Sequence, residues 1–329
     1  MFNNNSGTTK NEFSIGTEVN KISFRTNNGI PEYKGYSDVD YISFSSKLPS
    51  AGGTMTGALT NNNVNNMFSR SKQLDVLNQI STAVGGSSYI KRALFFDETG
   101  ATTTLKDRSA NLANATLSAN ASTLSPSISG DCRFLNMGAT NTFDFADAND
   151  LSFGNGTTDS PFSIVSLINP NSVSGNLAIL CKEDATSGSI QRGYQFYFSG
   201  GSLALLLTSQ NITANYLMRY HNATLSADIG TNHVYSALYG GTSVITDMEI
   251  HRDGVRIDDS SATSGTYVAM SNTTSKLGNY VLNSSGVKVS QGNYKGGAIF
   301  LFNIKLSAAQ SKAISNILLC YTGQDNAFL

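Results

Sequence analysis

The sequence predicts an all-β fold, and three features carry that prediction. Charged residues make up only 14 % of the 329-residue chain, against an ordinary quarter, and polarity is carried by Asn, Ser, Thr and 30 glycines. Runs of alternating apolar and polar residues recur along the chain, which suits half-buried strands. Gly, Asn, Asp and Ser punctuate those runs, which suits tight turns. Hydrophobic residues reach 40 %, enough to build a core. At about 150 residues per domain the length suggests two domains, yet one β-sandwich can run to about 200–250 residues. A single large sandwich with a smaller N-terminal part fits as well.

Charge and segment hydropathy exclude several classes. A net charge of −1 leaves no electrostatic footprint for nucleic acid. No stretch approaches the roughly 18 apolar residues that span a bilayer. The N-terminus, MFNNNSGTTKNEF, lacks the charged start and apolar run of a signal peptide. The expectation is a soluble protein made in a cytoplasm. Cys132, Cys181 and Cys320 are odd in number and scattered, which reads as buried free thiols.

In order along the chain, residues 1–50 carry two alternating runs, Lys21 to Thr26 and Tyr41 to Ser46, with Gly29, Pro31 and Gly35 between them. This reads as a small extended β element, too short to bury a sizeable core alone. Residues 64–84 then read as a helix. Val64, Met67, Phe68, Leu74, Leu77, Ile80 and Val84 fall near three/four spacing, and Gly85-Gly86 ends the run. Positions 67, 74, 77 and 84 alternate in heptad fashion, so a short trimeric coiled coil and a helix packed on the adjacent domain both fit.

Between them, Gly52, Gly53, Thr54, Met55, Thr56, Gly57, Ala58 and Leu59 stand contiguously. This segment resembles one found repeatedly in bacteriophage tail-fibre and related virion fibre proteins. Glycines there permit close backbone approach, and Met55 and Leu59 supply the only sizeable apolar side chains. The resemblance implies an oligomerisation or attachment segment (Gly52, Gly53, Met55, Gly57, Leu59) and a homo-oligomer, expected to be a trimer. It also implies capsid or tail proteins as partners, and assembly into a virion in a bacterial cytoplasm. The plainer reading is a Gly/Thr-rich linker.

From residue 91 the chain becomes a succession of short strands. Lys91 to Asp97, then Leu105 to Leu117 with its Asp107-x-Ser109-x-Asn111 turn, lead into Phe143 to Pro170 with an Asp147-x-x-Asp150-Leu-Ser-Phe turn and a Pro161-Phe-Ser-Ile opening. A hairpin follows around Ser199-Gly-Gly-Ser202, then His233 to Tyr239, Met248 to Ile257 with an Asp253-Gly254 turn signal, and Tyr294 to Gln310, whose Ser307 is placed to cap a terminal helix. In this order the segments resemble laminin G-like, concanavalin A-like domains. The resemblance implies a two-sheet antiparallel jelly-roll sandwich over residues 90–329. Residues 1–60 then form the attachment segment, and 61–89 a helical linker or trimerisation segment.

That fold hosts lectins, glycosidases and passive modules alike, so function must be read from sites. Asp247, Glu249, His251 and Asp253 alternate on one strand, the spacing a retaining glycosidase pair would need. They coincide with an ordinary hairpin strand, and no catalytic residue is assigned. Asp144, Asp147, Asn149 and Asp150 cluster in one loop, followed by Asn155 and Asp159. Such oxygens suit Ca²⁺, although Asn and Asp stabilise turns without metal. His221, His233 and His251 have no metal spacing. Sugar stacking would fall to Tyr194, Tyr216, Tyr220, Tyr239 and Tyr280, which lie near expected loops. The expectation is a structural virion fibre or appendage that displays a jelly roll to host-surface glycan or receptor. A module without ligand is the alternative, and a glycan-degrading enzyme comes third.

Overall fold

A computed structural model of the chain describes residues 72–324 apart from 139, 184–192, 210–214, 272–275, 283–287 and 290. Of residues 12–15, 22–27, 30–34, 42–43, 61–71, 183, 282 and 289 it describes the backbone alone. The chain divides into two compact units, Met1–Asn65 and Asn66–Leu329.

The first unit holds an antiparallel meander of β1 (Glu12–Ile15), β2 (Ile22–Asn27), β3 (Ile30–Lys34) and β4 (Ile42–Ser43). Strands β2 and β4 fall where the alternating runs place them. Asn27 pairs with Ile30 across Asn28-Gly29, a tight-hairpin signal. The Gly52–Leu59 segment lies outside the described residues.

Helix α1 (Asn61–Val84) ends at Gly85, whose φ of +89 is the left-handed stop glycine supplies readily. Its domain-facing side carries Gln73, Val76, Ile80 and Val84, all buried, while Leu74 is 57 % exposed. The heptad reading of 67, 74, 77 and 84 is thereby corrected. Val84 and, in part, Leu77 pack on the sandwich, whereas Leu74 stays exposed.

The sandwich is built from β5 (Ile90–Phe95), β6 (Thr104–Leu105), β7 (Ala115–Leu117), β8 (Ser127–Ser129), β9 (Cys132–Asn136), β10 (Phe143–Phe145), β11 (Phe162–Pro170) and β12 (Asn176–Glu183). Then come β13 (Gly193–Ser199), β14 (Ser202–Thr208), β15 (Tyr216–His221), β16 (His233–Tyr239), β17 (Met248–Arg252), β18 (Val255–Arg256), β19 (Ser260–Ser264) and β20 (Leu277–Gly278). A short ribbon of β21 (Val281–Leu282) and β22 (Lys288–Val289), the long β23 (Tyr294–Phe302) and helix α2 (Ala308–Tyr321) complete it.

Two antiparallel sheets result, as in a jelly-roll-like sandwich. One has nine strands in the order β19-β15-β14-β13-β12-β20-β10-β7-β6. The other has eight, with β18-β17-β16-β11-β23-β9-β8 in line and β5 also paired to β23.

Alternation on each strand decides what faces the core. From the nine-stranded sheet Phe143, Phe145, Tyr194, Phe196, Phe198, Leu203, Leu205 and Leu207 enter it; from the other, Ile164, Tyr235, Ala237, Tyr239, Ile250, Ile299 and Leu301. The eight-stranded sheet is apolar on its outer face as well, because α1 and α2 cover it. Val165, Leu167, Val234, Leu238, Ala298, Phe300 and Phe302 pack there against Val76, Ile80, Ile314 and Leu318. Strands buried on both faces read as near-continuous apolar runs, and Gly296 to Phe302 is one. Phe95 meets Phe300 and Tyr321 edge-to-face at 5.5 and 6.1 Å.

Local signals hold where the sequence places them. Asp253 and Gly254 adopt φ of +52 and +74, the paired positive angles of a type I′ turn. The Ser307 hydroxyl accepts from the Gln310 N–H at 3.2 Å, and the Gln310 side chain accepts from the Ser307 N–H at 2.9 Å, a reciprocal cap for α2. Cys132 and Cys181 are buried as expected; Cys320 instead lies exposed on α2. Among the described residues no helix is long and apolar enough to cross a membrane.

Candidate functional site

The outer faces of the two sheets differ. Helices cover that of the eight-stranded sheet. On the nine-stranded sheet, the residues alternating with the core-facing set form cross-strand rungs. One rung runs Ala178, Tyr197, Ala204, Tyr220, Ser260; the next runs Cys181, Gln195, Leu206, Met218, Ala262. Thr208, Tyr216 and Ser264 continue the pattern on a third.

Tyr216, Tyr220, Leu206 and Met218 are half-buried, and Tyr197, at 9 % exposure, lies deeper between them. None of these five belongs to a hydrophobic core cluster. The Tyr197 hydroxyl donates to the Met218 sulfur at 3.6 Å, a contact that reaches across β14 from β13 to β15. The described part of these rungs is uncharged apart from its ends. It offers the half-buried Tyr216 and Tyr220 rings beside Leu206 and Met218 on a rigid sheet, a surface for a flat, hydroxyl-rich ligand.

Two of the five tyrosines expected from sequence, Tyr216 and Tyr220, stand here. The other three do not, and that expectation is corrected. Tyr194 sits on the opposite parity of the same strand as Tyr197, fully buried. Its ring packs 4.9 Å from Phe162 and its hydroxyl donates to the Leu151 carbonyl at 3.0 Å. Tyr239 is buried with its hydroxyl on Asp159 at 2.6 Å, and burial followed by that carboxylate pushes its phenol well above the usual range. Tyr280 is buried too, with the Lys288 ammonium 4.1 Å from its ring centre. None of the three presents an open face. Tyr197, Leu206 and Met218 are the residues that sequence reading missed.

The acidic loop does not converge on a cation. Asp144 pairs with Lys288 at 2.8 Å and Lys276 at 3.2 Å, Asp147 with Lys182 at 2.5 Å, and Asp150 bidentately with Arg92 at 3.0 and 3.1 Å. Each carboxylate is neutralised by its own side-chain cation, so the calcium expectation for Asp144, Asp147, Asn149 and Asp150 is corrected. Asn149 opens a single 3-10 turn at Asn149–Leu151. Asn155 accepts from the Thr157 and Thr158 N–H groups, the turn role such residues also have. Among the described residues no three or more His, Cys, Asp or Glu side chains gather to hold a metal.

The acidic strand β17 turns its polar face toward α2. Lys305 reaches Glu249 at 2.9 Å and Asp247 at 3.0 Å. His251, buried, lies 3.1 Å from Glu249 and 3.0 Å from the Ser311 hydroxyl of α2. Burial alone would push the Glu249 carboxyl up, but hydrogen bonds from Lys305 and His251 outweigh it and hold the group below the usual carboxylate range. Glu249 is therefore ionised at neutral pH and unsuited to protonate a leaving group. Asp253 serves its turn, accepting from the Val234 N–H at 2.9 Å and meeting the His233 ring at 2.7 Å.

No family model matches the chain, and no curated protein matches it. Solved structures do. The binding domain of Paraclostridial Mosquitocidal Protein 1 is similar at 9 % identity and a TM-score of 0.48, over 71 % of this chain and 53 % of that one. The binding domain of Botulinum Neurotoxin DC in complex with SialylT gives 14 % and 0.46, over 70 % and 52 %. A Trypanosoma rangeli sialidase in complex with sialic acid gives 10 % and 0.46, over 94 % and 45 %. The chain spans about half the length of these structures.

Proposed function

We propose that the protein is a binding module for host-surface glycan or receptor, and that the outer face of the nine-stranded sheet is its contact surface. One observation carries this reading. The sandwich has two outer faces; helices cover one, and the other presents the half-buried Tyr216 and Tyr220 with Leu206 and Met218 in register across β14 and β15. Aromatic rings that bury an apolar face while keeping a hydroxyl wet suit a ligand with the same two-sided chemistry.

The concanavalin A-like resemblance and the fibre-like segment at Gly52–Leu59 extend the proposal. The module is carried on a bacteriophage virion appendage, attached to capsid or tail proteins and assembled in the bacterial cytoplasm, where many copies multiply a weak single-site affinity. Antibody labelling of purified particles checks that location.

The test of binding is a glycan array probed with full-length protein, followed by Tyr216→Ala and Tyr220→Ala. Each substitution is expected to weaken binding about tenfold, or about 1.4 kcal/mol, as a central aromatic contact does. Unchanged binding in the double variant would remove the site from this face. Absence of any bound glycan would leave a structural module without ligand.

A further inference from the structure

We infer that the cleft between helix α1 and the 106–114 segment, which joins β6 to β7, is a binding site for a small aliphatic carboxylate. The inference stands apart from glycan binding. Strands β6 and β19 are the opposite edges of the nine-stranded sheet, and the tyrosines lie on β15 beside β19.

The cleft holds about 520 Å³, a volume within the range of small-molecule sites. Leu74 and Leu77 line it from α1, and Leu112 lines it from the 106–114 segment. Leu74 is 57 % exposed and Leu112 71 %, so two large apolar side chains meet water beside one cavity. Leu112 is also held at a φ of +51, a backbone conformation that Asn, Asp and Gly adopt far more readily than leucine. The turn that imposes this angle is rigid. Its Asp107 carboxylate accepts from the Ala93 and Ser109 N–H groups at 2.9 Å each, from the Ser109 hydroxyl at 2.8 Å and from the Ala113 N–H at 3.1 Å. Leu112 belongs to none of the core clusters, so its strain is not repaid by packing within the sandwich. It is placed for what enters the cleft.

The charge that meets the cleft is positive. Lys106 and Arg108 line it, with side chains 40 and 25 % exposed, while their acidic partners Asp97 and Glu98 are 8 and 9 % exposed and stand outside the lining. Asp107 lines it too, but its two oxygens are occupied by the four donors of its own turn. The Lys106 ammonium stays 3.7 Å from Glu98, beyond hydrogen-bond reach. Among the described residues Arg108 gives its one side-chain hydrogen bond to Asp97 at 3.2 Å, and its Nε has no partner. Burial, with Asp97 beside it, raises the Glu98 carboxyl above the usual carboxylate range and so loosens its hold on both cations. A carboxylate head on Lys106 and Arg108 with an aliphatic body against the leucines satisfies both halves of the site. A neutral hydrocarbon would leave the cations unmet, and a bare small anion would leave the leucines wet.

Titration of the full-length protein with octanoate, read by calorimetry, tests this. Octanoate is expected to bind with a Kd of about 1 mM or tighter. Each methylene removed on the way to butanoate should weaken binding about threefold to fourfold, as loss of a buried methylene does. Octanol, with the same tail and no charge, should bind at least about tenfold more weakly than octanoate. Lys106→Gln, at an exposed position, should narrow that difference without moving the melting curve. Leu112→Asn should melt at or above wild type, because Asn accepts the positive φ, yet should lose at least about tenfold in octanoate affinity. No saturable binding at about 10 mM overturns the inference. So does wild-type affinity in Leu112→Asn, which would put the tail elsewhere. Octanol binding as tightly as octanoate overturns the acidic head.

Discussion

Replacing Asp159 with Ala removes one carboxylate that four donors share. The Tyr239 and Tyr267 hydroxyls lie 2.6 and 2.7 Å from its Oδ2, the Ser243 hydroxyl lies 3.2 Å from the same oxygen, and the Met270 N–H donates to Oδ1 at 2.8 Å. The group ties the 153–160, 239–243 and 267–270 segments to one another. Burial and the carboxylate push both phenols well above their usual range, so they remain protonated donors. On loss of the carboxylate, Ser243 is exposed enough to turn toward water, and one of the two phenols can donate to the other, since Tyr239 and Tyr267 are hydrogen-bonding neighbours. The second phenol hydroxyl and the Met270 N–H have no such substitute. At about 1–3 kcal/mol for each donor left unmet, the expected loss is about 3 kcal/mol. For a unit of this size that lowers Tm by about 6–12 °C. Asp159→Asn retains one acceptor and should lose about 1 kcal/mol. Calorimetry or circular dichroism melts of the three proteins read the difference. A loss under about 1 kcal/mol in the Ala variant would refute the claim that this carboxylate holds the loops.

Acid should destabilise the sandwich in two windows. Burial holds His251 below the usual histidine range, so the unfolded chain takes up that proton first and stability falls as pH drops below about 6.5. Asp247 and Glu249 are held low despite burial, Asp247 by Thr242 and Lys305, Glu249 by Lys305 and His251. Their contribution is present above about pH 4.5 and is lost as pH falls through the folded values. Glu98, which burial raises, acts in the opposite sense, so the decisive comparison is with His251→Gln, whose Tm should fall less steeply between pH 6.5 and 5. Equal slopes would exclude His251 as the source. Gly254→Ala should cost about 2 kcal/mol or more, because φ is +74 there and the added Cβ would lie 2.5 Å from Lys312 Cα in α2. A thermal melt matching wild type would show that α2 does not press on the turn.

What the sequence made legible was whatever a few neighbouring residues decide. The Ser199-Gly-Gly-Ser202 hairpin, the Asp253-Gly254 turn and the Ser307 cap are local, and each stands where its residue types require it. What it left open was the choice between two faces. Gly193 to Ser199 carries aromatics on both parities, so alternation alone cannot say whether Tyr194 or Tyr197 enters the core. The partner strand decides, because Leu203, Leu205 and Leu207 face the core alongside Phe196 and Phe198. Helix α1 posed the same ambiguity, and the heptad reading joined Leu77 and Val84, which pack on the sandwich, to the exposed Leu74. The acidic loop misled for a different reason: Lys182, Arg92, Lys276 and Lys288 neutralise it from 35 to 144 positions away in the chain. One consequence of these ambiguities can still be read from residue order. A strand apolar on both parities, such as Gly296 to Phe302, needs a cover on each side, and two helices with apolar faces are there to supply it. Ser260 to Ser264 has no such second apolar face and needs no helical cover at the sheet edge it forms, beside which Tyr216, Met218 and Tyr220 stay half-buried. The helices, by choosing the eight-stranded sheet, leave the outer face of the other sheet as the proposed contact surface.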